Sequence, residues 1–480
     1  MIDPPLWTLD AMASAMHAER SGVVPPAISG ISIDTRTISP GEAFFALTGE
    51  NGDGHDFVAA AFKAGAGLAV IAADKREAFG QDAPLLVVQD VLQALRELAH
   101  AARTRTQARI VAVTGSVGKT GSKDALHLAL GRQGATHASV ASFNNHFGVP
   151  LSLARCPASA RFAVFELGMN HAGEITPLAQ LVRPHVALIT AVEPVHLEFF
   201  RSVEAIADAK AEIFSGLVSG GAAVLNCDNA QFARLAASAR HKGVTRIVSF
   251  GECSSADARL TRCVLHPDGS TVEARILGQD VRYEIGAPGR HVVQNSLGVL
   301  AAVVLLGGDV DRAAQALADL RPGLGRGARL NIEIPGGTIL LIDESYNANP
   351  ASMRAALASL GQASGPGRRI AVLGDMLELG PRGAELHRNL ADAALSSAVD
   401  LVFCCGPLMQ NFWEALPASR RGSFAQNSTE LAPRVIAAAQ PGDTLMIKGS
   451  LGSCMGAIVK ALENIDRREA AAASMPELRS

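Results

Sequence analysis

Aromatic residues are scarce. Phe, Trp and Tyr make up 4% of the 480 residues, although hydrophobic residues as a whole reach 48%. Ala, Val and Leu must therefore fill the cores. An excess of charge of one sign is also missing: the formal net charge of −3 gives no reason to expect a nucleic acid or a membrane surface as the main partner. No apolar run reaches the ~18 residues of a membrane span; "AAVVLLGG" (301–308) is short and reads as the end of a buried helix. No C-x-x-C pair occurs. The seven cysteines, at 156, 227, 253, 263, 404, 405 and 454, are odd in number and widely spaced. That argues against a disulfide framework and a zinc site, and for a reducing compartment. The start, "MIDPPLWTLDAMASAM", lacks the basic beginning and apolar core of a signal peptide. A soluble, cytoplasmic protein is expected, with no internal repeat.

What is present falls into three blocks, as ~100–200 residues per domain would suggest. In residues 1–105, strand-like runs broken by turns ("GISIDTRTISPGEAFFALTGENGDGHDF") precede helical runs. In 106–322, apolar strands ("RIVAVTG", "RFAVFELG", "HVALIT", "AAVLN") alternate with helical segments, which predicts a parallel α/β sheet. In 323–465 the alternation repeats ("GTILLIDES", "RRIAVLGD", "DLVFCCG", "DTLMIKGS"), as in a Rossmann-like domain. The fold class expected is α/β in three domains: a small mixed N-terminal one, a central phosphate-loop ATPase-type parallel sheet and a Rossmann-like C-terminal one. Residues 466–480 read as a polar tail that frays.

Chemistry concentrates where strands end, the edge at which such sheets bind ligands. "VTGSVGKTG" (113–121) follows one strand and opens a helix. It is a phosphate loop with a difference, because the usual G-x-x-x-x-G-K-[ST] pattern would put a glycine at Val113. Backbone N–H groups of such a turn point at phosphate oxygens, and the helix adds its positive end. Lys119 can reach the β and γ phosphates and Thr120 can ligate Mg²⁺. The competing reading is an ordinary strand–turn–helix bend with a surface lysine.

Glu166 ends a second apolar strand, where a carboxylate is costly unless paired or metal-bound. Glu193 and His196 follow a third. A lone histidine such as His196 is more often structural than a ligand. Lys210, in "DAKAEIFSGL", reads by its pattern as a surface lysine of an amphipathic helix. His291 and Asn295 share a helix face. Asp343 and Glu344 end the strand of "LLIDESYNANPASM", whose Asn and Pro residues also suit a turn and a helix cap. Arg326 and Arg329 stand near where the second and third blocks meet; an arginine there either reaches a phosphate in a cleft between them or is a plain linker residue.

These pieces together resemble the Mur ligase family, ATP-dependent ligases that build the peptide of bacterial cell-wall precursors, over nearly the whole chain. The family uses the short loop T-G-S/T-x-G-K-T, matched by Thr114, Gly115, Ser116, Val117, Gly118, Lys119 and Thr120. The resemblance makes Glu166 and His196 metal ligands and, through "AKAEIF", makes Lys210 a carbamylated lysine that also binds metal. Asn295, Arg326 and Asp343 would contact adenine, phosphate and ribose, with Gly121 closing the ATP site. Lys119, Lys210 and His196 would be the catalytic set. "NNHFGVPLSL", "ELGMNHAGEI" and "DESYNANPASM" are most similar to the member that joins D-alanyl-D-alanine to UDP-N-acetylmuramoyl-tripeptide. That implies substrate contacts from Ser32, Thr35 and Arg36 in the first block, from Asn144 and Asn145, and from Tyr346, Asn347 and Asn349. ATP and Mg²⁺ are the implied cofactors, with no nucleic acid, no membrane insertion and a monomeric chain.

Two departures stand out. Leu451 occupies the arginine position of the family's K-G-S-R, here "KGSLGSCM", and Gly121 stands where a second Thr or Ser is common. Two alternatives stay open at this point: a Mur-type ligase adding another amino acid, and a nucleotide-binding regulatory module without ligase activity.

Overall fold

The computed structural model describes residues 4–49, 52–140, 142–195, 198–363 and 365–473, the last eight of them by backbone alone. Three main sheets follow one another along the chain. The first has five strands, in the order Glu19–Ser21, Leu85–Val88, Leu68–Ala72, Ala43–Phe45, Ile31–Ser32, with only the Glu19–Ser21 edge antiparallel. It does not stand apart. Trp7 Nε1 donates to the Ala154 carbonyl at 2.9 Å, and one apolar cluster runs from Trp7 through Leu95 and Leu98 to Leu151 in a helix over the next sheet and Phe165 in that sheet.

The central sheet has nine strands. Its parallel part runs Thr136–Ala138, Phe162–Glu166, Arg109–Thr114, Val186–Ile189, Ala222–Asn226, Arg246–Gly251, Ala258–His266. Ile110, Val111, Ala112 and Val113 are all fully buried, as a strand covered by helices on both faces requires. The sequence reading predicted a parallel sheet here. The structure adds an antiparallel extension, Gly269–Ile276 and Gln279–Ile285. Its signal lay in the two tight turns, Pro267–Asp268 and Leu277–Gly278, which join alternating runs.

The third sheet has six strands, in the order Ala328–Ile334, Gly337–Glu344, Thr444–Lys448, Arg369–Gly374, Leu401–Cys405, Arg421–Ala425. All but the first pair are parallel. Its parallel strands end facing the central sheet. Arg326 Nη2 donates to Ser142 Oγ at 3.1 Å, and the Glu198 N–H to the Glu378 carbonyl at 3.2 Å.

Two expectations are corrected. The closing helix spans Gly456–Ala473, so the first part of the expected 466–480 tail is helical in its backbone, as the alanine-rich "EAAAA" favours, and 474–480 lie outside the described residues. Cys227 and Cys253, 26 residues apart with Cα atoms at 6.5 Å, pair as a disulfide. Spacing along the chain could not reveal this. The pair forms because the strands preceding the two residues, Ala222–Asn226 and Arg246–Gly251, are neighbours in the sheet.

Candidate nucleotide and metal site

The phosphate loop begins where the strand Arg109–Thr114 ends. Val113, the position lacking glycine, is a buried strand residue, and the turn starts after Thr114. Gly118 takes φ +82° and caps the helix Lys119–Gly131 with no side-chain hydrogen bond, so the helix's first N–H groups are not taken by a capping side chain. A methyl group on Gly118 would collide with the Asn295 side-chain amide, so the helix Arg290–Leu305 sits directly against the loop. Thr190, at the end of the neighbouring strand, donates from Oγ1 to the Val117 carbonyl at 2.5 Å. The Ser116 N–H donates to the Ala191 carbonyl at 2.7 Å. Ser116 Oγ also donates to the Glu193 carbonyl and accepts from its N–H, at 3.0 and 2.9 Å. The loop is thus held from behind by Thr190–Glu193, and Ser116 is spent on that support. Glu193 is half-buried, which raises its carboxyl above the ordinary range, while Arg354 pulls the other way.

Parallel register sets Glu166 beside Val113, at the same sheet edge as the loop. Glu166 is 1% exposed. Thr120 Oγ1 donates to one of its oxygens at 2.8 Å and Asn144 Nδ2 to the other at 2.7 Å. A hydroxyl and a carboxylate side by side make an oxygen donor set that fits a hard divalent cation such as Mg²⁺. Asn144, expected to touch substrate, orients this carboxylate.

Positive charge gathers around the one acid. Lys119 Nζ folds back onto the Gly115 carbonyl at 2.6 Å. Surrounding protein pushes its ammonium below the ordinary lysine range; Glu166 opposes that shift and Arg326 adds to it. Lys210, on the helix Val203–Ala211, is 2% exposed. It is no surface lysine, so its amphipathic pattern misled. Burial first, and the charge of Lys119 second, push it well below the ordinary lysine value. His196 lies outside the described residues.

The third sheet supplies the far wall. The Arg326 guanidinium lies 4.0 Å above the Tyr346 ring and bonds Ser142, next to Thr120. Arg329 turns away instead, pairing with Asp268 at 3.3 Å. The acid pair divides its work. Asp343, 4% exposed, accepts the Gly325 and Ser345 N–H groups on its two oxygens, at 2.8 and 3.0 Å, and so shapes the linker. Its neighbour Glu344 meets the buried Lys448 at 3.2 Å. His291, exposed near the start of the helix Arg290–Leu305, is within electrostatic reach of both. Crowding by protein pushes its imidazole down; Glu344 raises it and Lys448 lowers it. Of the two carboxylates, Glu344 is the one that pairs with Lys448, while Asp343 is engaged by the two backbone N–H groups.

Other expected residues have local work. Asn145 accepts the Phe147 and Gly148 N–H groups at 3.2 and 2.9 Å. Asn349 caps the helix Pro350–Gly361 in a reciprocal box with Ser352. Asn347 is exposed, and its carbonyl accepts from Lys448 at 3.0 Å. Ser32, Thr35 and Arg36 lie at the edge of the first sheet. Ser32 is buried and exchanges hydrogen bonds with Asp34; Arg36 is 86% exposed in its side chain and pairs with the same acid. Among the described residues, none of the contacts of these three reaches the loop. Leu451 is 64% exposed in the turn after Lys448. Thr190 and Lys448 were missed. Each is a polar residue ending a buried parallel strand, the signal that had marked Glu166.

The family patterns of three Mur ligase domains match the chain: "Mur ligase family, catalytic domain" at 27–103, "Mur ligase middle domain" at 113–303 and "Mur ligase, glutamate ligase domain" at 328–451. A UDP-N-acetylmuramoyl-tripeptide–D-alanyl-D-alanine ligase of Rickettsia prowazekii is 33% identical, covering 95% of this chain and 99% of its own. One of Escherichia coli is 34% identical, covering 95% and 98%. A crystal structure of MurF from Acinetobacter baumannii superposes with a TM-score of 0.80 at 29% identity, covering 95% of this chain and 99% of that one.

Proposed function

The chain belongs to the Mur ligase family, and on that premise we infer that it is an ATP-dependent amide ligase joining D-alanyl-D-alanine to UDP-N-acetylmuramoyl-tripeptide in peptidoglycan precursor synthesis. The observation that carries this reading is the excess of positive charge at one sheet edge. Lys119 and Arg326 gather near the buried Glu166, with the buried Lys210 amine close to Lys119. Such a pocket asks for a polyanion, and ATP supplies one.

The loop N–H groups, Lys119 and Arg326 hold the phosphates, and Asn295 and Glu344 line the nucleoside side. The tripeptide's terminal carboxylate attacks the γ-phosphorus and ADP leaves, giving an acyl phosphate. The D-alanyl-D-alanine amine adds to that carbonyl, and the tetrahedral intermediate expels phosphate to leave the amide. Lys119 and Arg326 neutralise charge as the phosphoryl group moves, so the protein's contribution is positioning and electrostatics. Burial disfavours the Lys210 ammonium, and its amine would take up CO₂ with release of a proton. The resulting carbamate is a carboxylate-like ligand. With Thr120, Glu166 and His196 it would hold Mg²⁺, which when bound offsets phosphate charge. The first sheet, with Ser32, Thr35 and Arg36, takes the uridine nucleotide, and Tyr346 and Asn347 face the peptide. The chain acts as a cytoplasmic monomer. No described helix is long and apolar enough to cross a membrane.

Phosphate release from ATP, measured with UDP-N-acetylmuramoyl-tripeptide in the presence and absence of D-alanyl-D-alanine, tests the reading. Release that needs both supports it. Release driven by a free amino acid points to another family member, and release indifferent to the sugar peptide points to a nucleotide switch.

A further inference from the structure

Cys227 and Cys253 lie outside the machinery described above, yet each belongs to a loop that braces it. The Cys227 loop leans on the support of the phosphate loop. Asn226 Nδ2 donates to the Thr190 carbonyl at 3.2 Å and Asn229 Nδ2 to the Val192 carbonyl at 3.0 Å. The Cys253 loop leans on the helix of Asn295. Glu252 accepts from Arg290 at 2.5 Å and from Gln294 at 3.2 Å, the second directly before Asn295 in the same helix. Asp228 ties the two loops, accepting the Glu252 and Cys253 N–H groups at 2.8 and 3.2 Å. The packing there is tight, since a methyl group on Gly251 would collide with both Asp228 and Cys227. Both cysteines are half-buried between exposed neighbours, Asp228, Glu252 and Ser254, so a small reagent can reach them.

We propose that Cys227 and Cys253 form a reversible redox site, oxidised by small-molecule disulfides, that tightens the nucleotide end of the central sheet. One cysteine sulfur attacks the small disulfide, forming a mixed disulfide and releasing one small thiol. The second cysteine sulfur then displaces the other small thiol. One S–S bond is broken and one formed; two electrons pass to the small disulfide, and the two cysteine protons leave with its thiols. Bonded, the sulfurs lock the two loops together, and with them Thr190 behind the phosphate loop and Asn295 beside it. Reduced, two unbonded sulfurs need more room and the brace loosens. The proposal goes beyond the ligase reading and requires only that the loop bind a nucleoside triphosphate.

The test compares full-length protein treated with excess oxidised glutathione with protein treated with dithiothreitol. Thiols are counted after denaturation, and the affinity for a fluorescent ATP analogue is measured. Oxidation is expected to remove the Cys227 and Cys253 thiols as one intramolecular peptide cross-link carrying no glutathione, any glutathione being found on other thiols such as the exposed Cys454. Oxidised protein should bind the analogue about five-fold more tightly, the scale of one or two supporting hydrogen bonds. C253S should bind like reduced protein under both treatments. The C227A/C253A double variant serves the same comparison should C253S fail to fold. The proposal is overturned if both thiols remain free or separately glutathionylated after oxidation. It is overturned equally if the cross-link forms without changing affinity, or if the reduced protein holds zinc on Cys227, Asp228 and Cys253 and resists oxidation.

Discussion

Thr120 Oγ1 and Glu166 Oε2 lie 2.8 Å apart, joined by a hydrogen bond across 46 residues of chain. One residue ends the phosphate loop and the other ends the adjacent parallel strand, so the sheet itself fixes their meeting. Asn144 holds the second oxygen of Glu166. Asn144→Ala is expected to raise the Mg²⁺ concentration needed for half-maximal activity by roughly 10–100-fold, the usual cost of losing a group that orients a metal ligand. The KM for the uridine nucleotide should stay unchanged. A Mg²⁺ titration at saturating substrates checks this; a KM effect alone would return Asn144 to substrate binding.

Lys210 makes a stability prediction opposite in sign to its effect on activity. Its folded value lies well below that of an unfolded lysine, ~10.4. Between those two values the unfolded chain binds one more proton than the folded chain. Stability conferred at this position therefore rises with pH, by about 1.4 kcal/mol per pH unit. Lys210→Met keeps the stem and removes the buried amine. In CO₂-free buffer, denaturant unfolding across that window should show a flatter pH dependence for the variant, with equal or greater stability at neutral pH, while ligase activity is lost. Activity retained in Lys210→Met would exclude the carbamate.

Two glycines of the loop region should behave differently. Gly118 combines φ +82° with the Asn295 amide against it, so Gly118→Ala should cost at least about 1 kcal/mol and abolish nucleotide binding. At Gly121 an added Cβ meets nothing within 4 Å. Gly121→Ala should therefore stabilise the protein by roughly 0.5–1 kcal/mol and leave turnover in place. Thermal melts with and without ATP measure both. A harmful Gly121→Ala would mean that substrate fills the space beside that glycine.

Asp343→Asn and Glu344→Gln should separate folding from binding. In the first, one of the two N–H groups now bonded to Asp343 faces an amide NH₂, at a cost of about 1–3 kcal/mol in a melt. In the second the charge facing Lys448 and His291 is removed, and the KM for ATP should rise with little change in melting temperature. The reverse pattern would restore Asp343 as the carboxylate facing the nucleotide.

Much of the site was legible because strand ends are legible. An apolar run closing in Thr-Gly, in Glu166 or in Asp343–Glu344 marks one sheet edge, and the loop's short spacing pointed to the family. What depended on neighbours across the sheet was not legible. Cys227 meets Cys253 only because their strands pair, and nothing in the spacing said that Asp343 turns inward while Glu344 turns out. Asn145 and Asn349 have the side chain that both a substrate contact and a helix cap would use, so their residue type alone could not decide. Lys210 misled for a related reason: an amphipathic pattern marks a polar position, and only the packing around it shows that the position is buried.

The central claim, an acyl phosphate formed from the tripeptide carboxylate, is tested most directly by oxygen tracing. The tripeptide's terminal carboxylate is labelled with ¹⁸O, the ligation is run with ATP and D-alanyl-D-alanine, and the released phosphate is analysed by mass. One ¹⁸O atom per phosphate is predicted, the other remaining in the new amide. Unlabelled phosphate formed alongside the amide product would contradict the account.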